Sequence, residues 1–473
     1  MAKFFFLLTF LVFSIGYYYL VSDFTKENVA ILLLVAGLSL AIFSFKKESV
    51  NYLRRQYLKH STLVLVGFVI VHYQYHIDFL LGNVTNNLPY IWVDTSIVIK
   101  ALSCATAGLI CFMLGYLAFN KKITLVTGKS KISQPLSFNV LIVVAVLLLL
   151  GYFYYANPLY LLGFYGAEAL GAEANYIILL FKVVVFAALI QQARNFKYKN
   201  EFFSSFVSYL KKSNIYLNIL IGIYLTSVII SGDRGPLIFF LIAYYANYLF
   251  VSNKKLNILK TVGLLAVGIL FISTLGIVRS MDRDTSFRDR LKESMNVESR
   301  FETKSIIPQT QELAASIRSL HHTMSYVPIH HDYLYGRFQF QQAMSMIPFG
   351  NSFVHLIFTD NSYKYTGSSR FITWINQGDN PYTGDGSSVT ADFYFDFGLF
   401  GVLLGMFIFG YLMRYAELIM YSNYLPSLFG HAFFIGYLSS AIFISRSTFL
   451  VEMKLVVWIF FVLWINKFII NRK

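Results

Sequence analysis

Long apolar runs recur along this chain between short polar segments, and their length limits what it can fold into. Runs of mostly apolar residues occupy 4–21, 28–45, 61–80, 96–119, 138–155, 174–191, 215–231, 235–251, 258–278, 393–413, 427–445 and 453–470. About 18 such residues are enough to cross the hydrocarbon of a bilayer as a helix. Inside lipid the backbone must satisfy its own hydrogen bonds, so the pattern predicts an all-α polytopic membrane protein with about twelve transmembrane helices. Composition points the same way. Hydrophobic residues make up 56% and charged residues 13% of the chain, whereas a soluble domain carries about 25% charged residues to cover its surface. The first run has only Lys3 ahead of it and no small-residue cleavage site behind it, so a retained span is expected rather than a removed signal peptide. Cys104 and Cys111 fall within one apolar run, which supports neither a disulfide framework nor a zinc site.

The net charge of +15 would suggest nucleic acid in a soluble protein, but its placement has a topological explanation. Counted over alternate short segments, Lys and Arg number twenty-one on one side and three on the other. The rich side holds Lys46, Lys47, Arg54, Arg55 and Lys59, then clusters at 121–131 and 194–212, and ends with Lys467, Arg472 and Lys473. The positive-inside rule then makes both termini cytoplasmic and leaves nothing for a nucleic-acid reading to explain.

Residues 279–391 form the one long outer segment and divide the chain into helices 1–9 (1–278), a cap loop (279–391) and helices 10–12 (392–473). Its aromatics, prolines and amphipathic stretches predict a folded cap. Residues 309–326 read as a helix with Pro308 in its first turn, and 336–358 as a second helix broken near Pro348–Gly350.

Polar residues that could carry chemistry collect on the outer side. In the turn Ser231-Gly232-Asp233-Arg234-Gly235-Pro236, Asp233 is placed to cap the following helix. Arg234 then has two readings: a phosphate ligand at the mouth, or a snorkelling side chain paired with Asp233. Arg446 likewise reads as a substrate contact or as structural glue to Glu452. Asp392 and Asp396, four apart, share a helix face at the membrane boundary. There they require cations or a wet cavity, one suited to act as a base and the other to anchor an arginine, unless both serve only the helix dipole. Glu312, Arg318 and His322 have helix-compatible spacing. Arg279 and Arg337 are further anion-binding candidates, and His72 with His76 reads as a polar patch. The doublets His321-His322 and His330-His331 complete no metal-ligand spacing, so no metal is expected. Gly401 and Gly405 read as a helix-packing pair.

The outer Gly-Asp-Arg-Gly-Pro turn is similar to the short S-x-R-G element of bacterial O-antigen and oligosaccharide-repeat-unit polymerases of the Wzy type. The elements after it follow that family in order: Glu312-Leu313 opening a helix that ends in His321-His322, Tyr333-Leu334-Tyr335-Gly336, and Ile347-Pro348-Phe349-Gly350. Last comes Gly386-Ser387-Ser388-Val389-Thr390-Ala391-Asp392, leading into Phe397-Gly398-Leu399-Phe400-Gly401. The resemblance covers roughly 215–450, and Asp392 stands where the family pattern more often has glutamate.

The resemblance implies a GT-C-like glycosyltransferase of the plasma membrane. It would act on undecaprenyl-pyrophosphate-linked glycans at the outer face, without a cofactor, and be served by a flippase and a chain-length regulator. Arg234 and Arg446 would stabilise the leaving pyrophosphate, while Asp392, Glu312 and His322 compete as the base. Tyr326, Tyr333, Tyr335, Trp374 and Tyr382 suit stacking on sugars. Two rivals stay open: a ligase using the same lipid carrier, and a lipid-linked sugar flippase, for which Lys182 in the middle of the sixth run speaks.

Overall fold

The computed structural model describes residues 2–45, 56–119, 138–161, 170–231, 233, 235–256, 259–260, 263, 268, 304–358, 360, 362–381, 383–422 and 425–470. Among these residues the regular structure is helical. The first part comprises α1 Ala2–Leu20, α2 Lys26–Ser44, α3 His60–Leu80, the short α4 Pro89–Trp92, α5 Thr95–Ala118, α6 Asn139–Tyr155 and α7 Pro158–Leu161. After these come α8 Ala172–Tyr198, α9 Phe206–Lys212, α10 Ile215–Ser231 and α11 Gly235–Ser252. The cap contributes α12 Gln311–Ala314, α13 Arg318–Tyr326, α14 Arg337–Ser345, α15 Gly350–Ile357 and α16 Ser368–Gln377. The chain closes with α17 Val389–Ser422, α18 Leu428–Ser440 and α19 Val451–Ile470.

Among the described residues seven helices are long and apolar enough to cross a membrane: α1, α2, α3, α5, α8, α11 and most of α17. An eighth span results if α9 and α10, which meet at a bend of 109°, count as one. Eleven of the twelve apolar runs contain a helix at the expected place, and 258–278 lies largely outside the described residues. Two runs differ from their expected form. The run at 427–445 is a 13-residue helix followed by a 3-10 turn at Ile444–Arg446. The run at 393–413 starts earlier and is broken at Phe397 and Gly398.

The centre of the bundle is α5, whose membrane-length window is 89% buried. Small residues let α17 lie directly on it. A Cβ on Gly115 would stand 1.9 Å from the Phe407 carbonyl oxygen, and one on Gly410 would stand 1.9 Å from that of Phe112. Backbones that close gain dispersion contacts that lipid cannot supply between larger side chains. Buried polar pairs fix neighbouring helices: His431 with Asn247 at 3.1 Å, and Asn466 donating to Gln191 at 2.8 Å. At the end away from the cap, Glu417 accepts from the Ser61 N–H at 2.8 Å and from the Tyr116 hydroxyl.

Gly398 has φ +60 and ψ −146, a combination reserved for glycine. The chain reverses sharply there, so the arm 389–396 folds back along the arm 399–422. The proof is local: Cβ atoms on Gly401 and Gly405 would meet Phe393, the carbonyl oxygen at 2.4 Å and the ring at 2.6 Å respectively. The glycine pair does pack, but against the preceding arm of its own helix.

These contacts predict that Gly115→Val destabilises the bundle by about 3 kcal/mol, as overpacking of a filled core does. Gly398→Ala should cost about 2 kcal/mol from the backbone conformation alone, and its methyl would also press on Tyr333, 2.7 Å away. Thermal unfolding of detergent-purified variants, followed by size-exclusion chromatography, measures both.

Candidate active site

The cap is tied to one end of the bundle by ordinary side chains of α3. Gln74 donates to the Ile307 carbonyl at 2.9 Å and accepts from Thr310 at 2.6 Å, while Asp78 accepts the Ile306 N–H at 2.8 Å. The sequence 309–326 is helical as expected, but it tightens to a 3-10 turn at Ala315–Ile317 between α12 and α13. Glu312, six residues before Arg318 and so on another face, lies near Arg446, with 3.9 Å between carboxylate and guanidinium. The expected partner Glu452 is replaced because Arg446 sits in the 3-10 turn before α19 and reaches the cap.

Arg318 is otherwise engaged. It pairs with Asp385, which is 2% exposed, and lies over the Tyr90 ring at 4.4 Å. Asp385 also accepts from Asn376 at 3.1 Å and Gln377 at 2.8 Å, so the pair fastens α13 to α16 and the strand-like approach to α17. His322 stands beside this pair. Burial first, and then the Arg318 charge, hold its imidazole down to about 4, although Asp385 pulls the other way. Burial likewise puts the neighbouring His321 at about 4. Arg337 stacks between the rings of Phe358 and Tyr365, at 4.6 and 4.3 Å, and donates to the Asp360 carbonyl.

Both carboxylates of the arm 389–396 face α14, which confirms their common face, yet they meet amides instead of an arginine. Asp392 is fully buried and accepts from Gln342 at 2.8 and 3.0 Å and from Gln339 at 2.8 Å. Asp396 receives the Gln339 N–H at 3.3 Å at the positive end of α14. The motif Tyr333-Leu334-Tyr335-Gly336 makes the turn that permits this. The N–H groups of Leu334 and Tyr335 cap the carbonyls of Phe395 and Asp396, at 2.9 and 3.1 Å. Tyr335 and Gly336 then take positive φ, and the Tyr335 ring is left 71% exposed.

Above this floor lies a cavity of about 410 Å³, open to solvent. Its lining includes Gln342, His355, Ser368, Ser369, Ser387 and Arg446. Gln342 joins cavity to floor: its amide nitrogen holds Asp392, while its oxygen accepts the Leu450 N–H at 3.3 Å. Hydroxyls, amides and one guanidinium around a wet concavity suit a ligand rich in hydroxyls with an anionic end. Gln342, His355 and the serines were not singled out from sequence. Only the Ser387-Ser388 element gave a signal, because a serine or glutamine on a helix looks the same wherever it faces.

Other candidates lie elsewhere. Asp233 caps α11, accepting the Gly235 N–H at 3.2 Å as expected. Lys182 lies in α8 with the carboxylates of Asp233 and Glu452 within electrostatic reach. His72 bonds Thr390 at 3.2 Å, within the bundle. Tyr326 and Trp374 pack on each other, 5.8 Å between centroids, and the Tyr333 ring lies against Tyr394. Arg234, Arg279 and Tyr382 fall outside the described residues. Among the described residues no group of three or more His, Cys, Asp or Glu is arranged to hold a metal ion.

The apolar helices define a multi-pass membrane protein with a cavity at its capped end. The chain belongs to the O-antigen polysaccharide polymerase Wzy family, whose model matches residues 1–473. No curated protein and no solved structure matches it.

Two outcomes are expected. Gln342→Leu leaves Asp392 buried without two of its hydrogen bonds and should cost about 2–3 kcal/mol, read as a lower unfolding temperature, with Asp392→Asn in the same background recovering part of it. As pH falls from about 6.5 to about 4, protonation of His321 and His322 favours the unfolded cap, whose histidines keep their ordinary affinity for protons. Unfolding followed across this window should therefore show a loss of stability that is smaller in His322→Asn than in the parent.

Proposed function

We propose that this polymerase joins undecaprenyl-pyrophosphate-linked repeat units into surface polysaccharide of the O-antigen or capsule type, at the outer face of the bacterial plasma membrane. Family membership carries the general activity, polymerisation of O-antigen repeat units in the membrane. The single observation that carries the site is Arg446, 39% exposed at the side chain, on the wall of the hydroxyl-rich cavity. An ion pair of 3.9 Å between half-exposed groups is weak, so an incoming pyrophosphate can compete with Glu312 for the guanidinium.

In this reading the growing chain, bound through its pyrophosphate, is the donor, and a hydroxyl of the next lipid-linked unit is the acceptor. Arg446 and Arg234 stabilise the charge that develops as the pyrophosphate leaves, in place of a divalent ion. Glu312 accepts the acceptor's proton. Its half-exposed carboxylate lies beside Arg446, whereas Asp392 is closed off beneath Gln342 and His322 faces Asp385. Asp392 instead orients Gln342 and, through it, the cavity floor. Ser368, Ser369, Ser387 and Gln341 supply hydrogen bonds to sugar hydroxyls. Arg279, Tyr335 and Tyr382 are assigned to the approach of the glycan, while Arg337 is held between Phe358 and Tyr365.

The proposal keeps the twelve-span topology with both termini cytoplasmic, the division at 278 and 391, a GT-C-like arrangement, and service by a flippase and a chain-length regulator. The basic residues at the uncapped ends of the helices support that orientation. A cavity lined by hydroxyls and a guanidinium at the capped end favours polymerase over flippase.

Arg446→Ala and Arg234→Ala should each lower chain extension by about 10²–10³-fold while the protein still accumulates in the membrane. Gels of surface polysaccharide would then show glycan capped with a single unit in place of a ladder. A full ladder at matched protein level removes that arginine from the site. Glu312→Gln should slow extension with little change in lipid-linked donor binding, and Asp392→Asn should act mainly through stability.

A further inference from the structure

At the end opposite the cap, a second cavity of about 450 Å³ lies between the last turn of α8, the first turn of α18 and the last turns of α19. Its lining is Arg194, Ser427, Leu428, Phe429, Phe460, Trp464, Lys467 and Phe468. We propose that this cleft binds the headgroup of an anionic phospholipid, with an acyl chain along its aromatic wall.

Three independent sources of positive potential converge there. Arg194 is held in place by donating through one nitrogen to the Pro426 carbonyl at 2.7 Å and lines the cleft. Lys467 enters from α19. The third is the N-terminus of α18, a 13-residue helix whose first residues line the cleft; Ser427 caps it by accepting the Gly430 N–H at 3.0 Å. Among the described residues no acidic residue lines the cavity to neutralise them.

The remaining wall is aromatic and turned outward. Phe461, Trp464 and Phe468 form a stacked ladder up α19, with ring centroids 6.0 and 5.9 Å apart. They are 53%, 48% and 49% exposed. Phe429 meets Phe460 edge-on at 5.5 Å. A Trp between exposed phenylalanines and a terminal lysine is the composition of a membrane–water boundary, where the ring sits at headgroup level. An apolar groove ending in two cations and a helix N-terminus therefore complements a lipid phosphate with its chain attached, and complements a zwitterionic headgroup poorly. The cytoplasmic leaflet as the source of this lipid rests on the proposed orientation; the headgroup chemistry does not.

The test uses the full-length protein, stripped of lipid in detergent, with phosphatidylglycerol, phosphatidylethanolamine or glycerol 3-phosphate added. Native mass spectrometry and thermal unfolding are the readouts. Phosphatidylglycerol should remain bound and raise the unfolding temperature, while the other two leave it unchanged. Lys467→Gln should weaken the retained lipid about fivefold, the amount expected for one basic residue at a lipid surface, and Arg194→Gln with Lys467→Gln should abolish the selectivity. Because Arg194 also supports Pro426, Lys467→Gln alone decides if the double variant fails to fold. Equal binding of phosphatidylethanolamine, or undiminished phosphatidylglycerol binding in Lys467→Gln, overturns the proposal. Stabilisation by glycerol 3-phosphate equal to that by the lipid overturns it too, since the cleft would then be a site for soluble anions. Polymer made normally by a variant that loses the lipid would leave the lipid site standing apart from the polymerase site, and loss of polymer in Arg446→Ala alone bears only on the latter.

Discussion

Burying two carboxylates four residues apart is the constraint on which the capped end depends. Asp392 and Asp396 cannot face lipid, and leaving either without donors would cost several kcal/mol. The fold answers with α14, whose Gln339 and Gln342 side chains and N-terminal N–H groups supply the donors. That in turn requires the chain to turn tightly into α14, which the positive-φ pair Tyr335 and Gly336 provides. The folded-back arm at Gly398 carries both acids on the face that meets α14.

Gln342 links this structural solution to the candidate chemistry. It is held from below by Asp392 and from the side by the Leu450 backbone, so it enters the cavity wall with little rotamer freedom. Arg446 belongs to the turn a few residues before Leu450. The polar wall of the cavity and its cation are thus positioned by one connected set of bonds that spans the cap, α17 and the start of α19. A site preorganised in this way needs less reorganisation when charge develops in it.

Cations in this protein divide according to their partners. Arg318 is closed in by a nearly buried aspartate and an aromatic ring, and Arg337 lies between two rings. Arg446 keeps only a long contact to a half-exposed glutamate. All three are partly buried, and it is their partners that separate structural clasps from a group able to exchange them.

Apolar run length by itself determined the class of this protein, because a backbone in lipid has few ways to satisfy its hydrogen bonds. The cap helices at 309–326 and 336–358 were legible too, through proline position and spacing, as was the Asp233 cap on α11. Tertiary structure decided the rest. That Glu312 faces Arg446 brings together residues 134 positions apart, which local propensity does not specify. That Asp392 serves Gln342 depends on residues 50 positions apart in sequence. Pairings of that kind arise from which faces come together as the helices pack, which residue order alone does not encode locally.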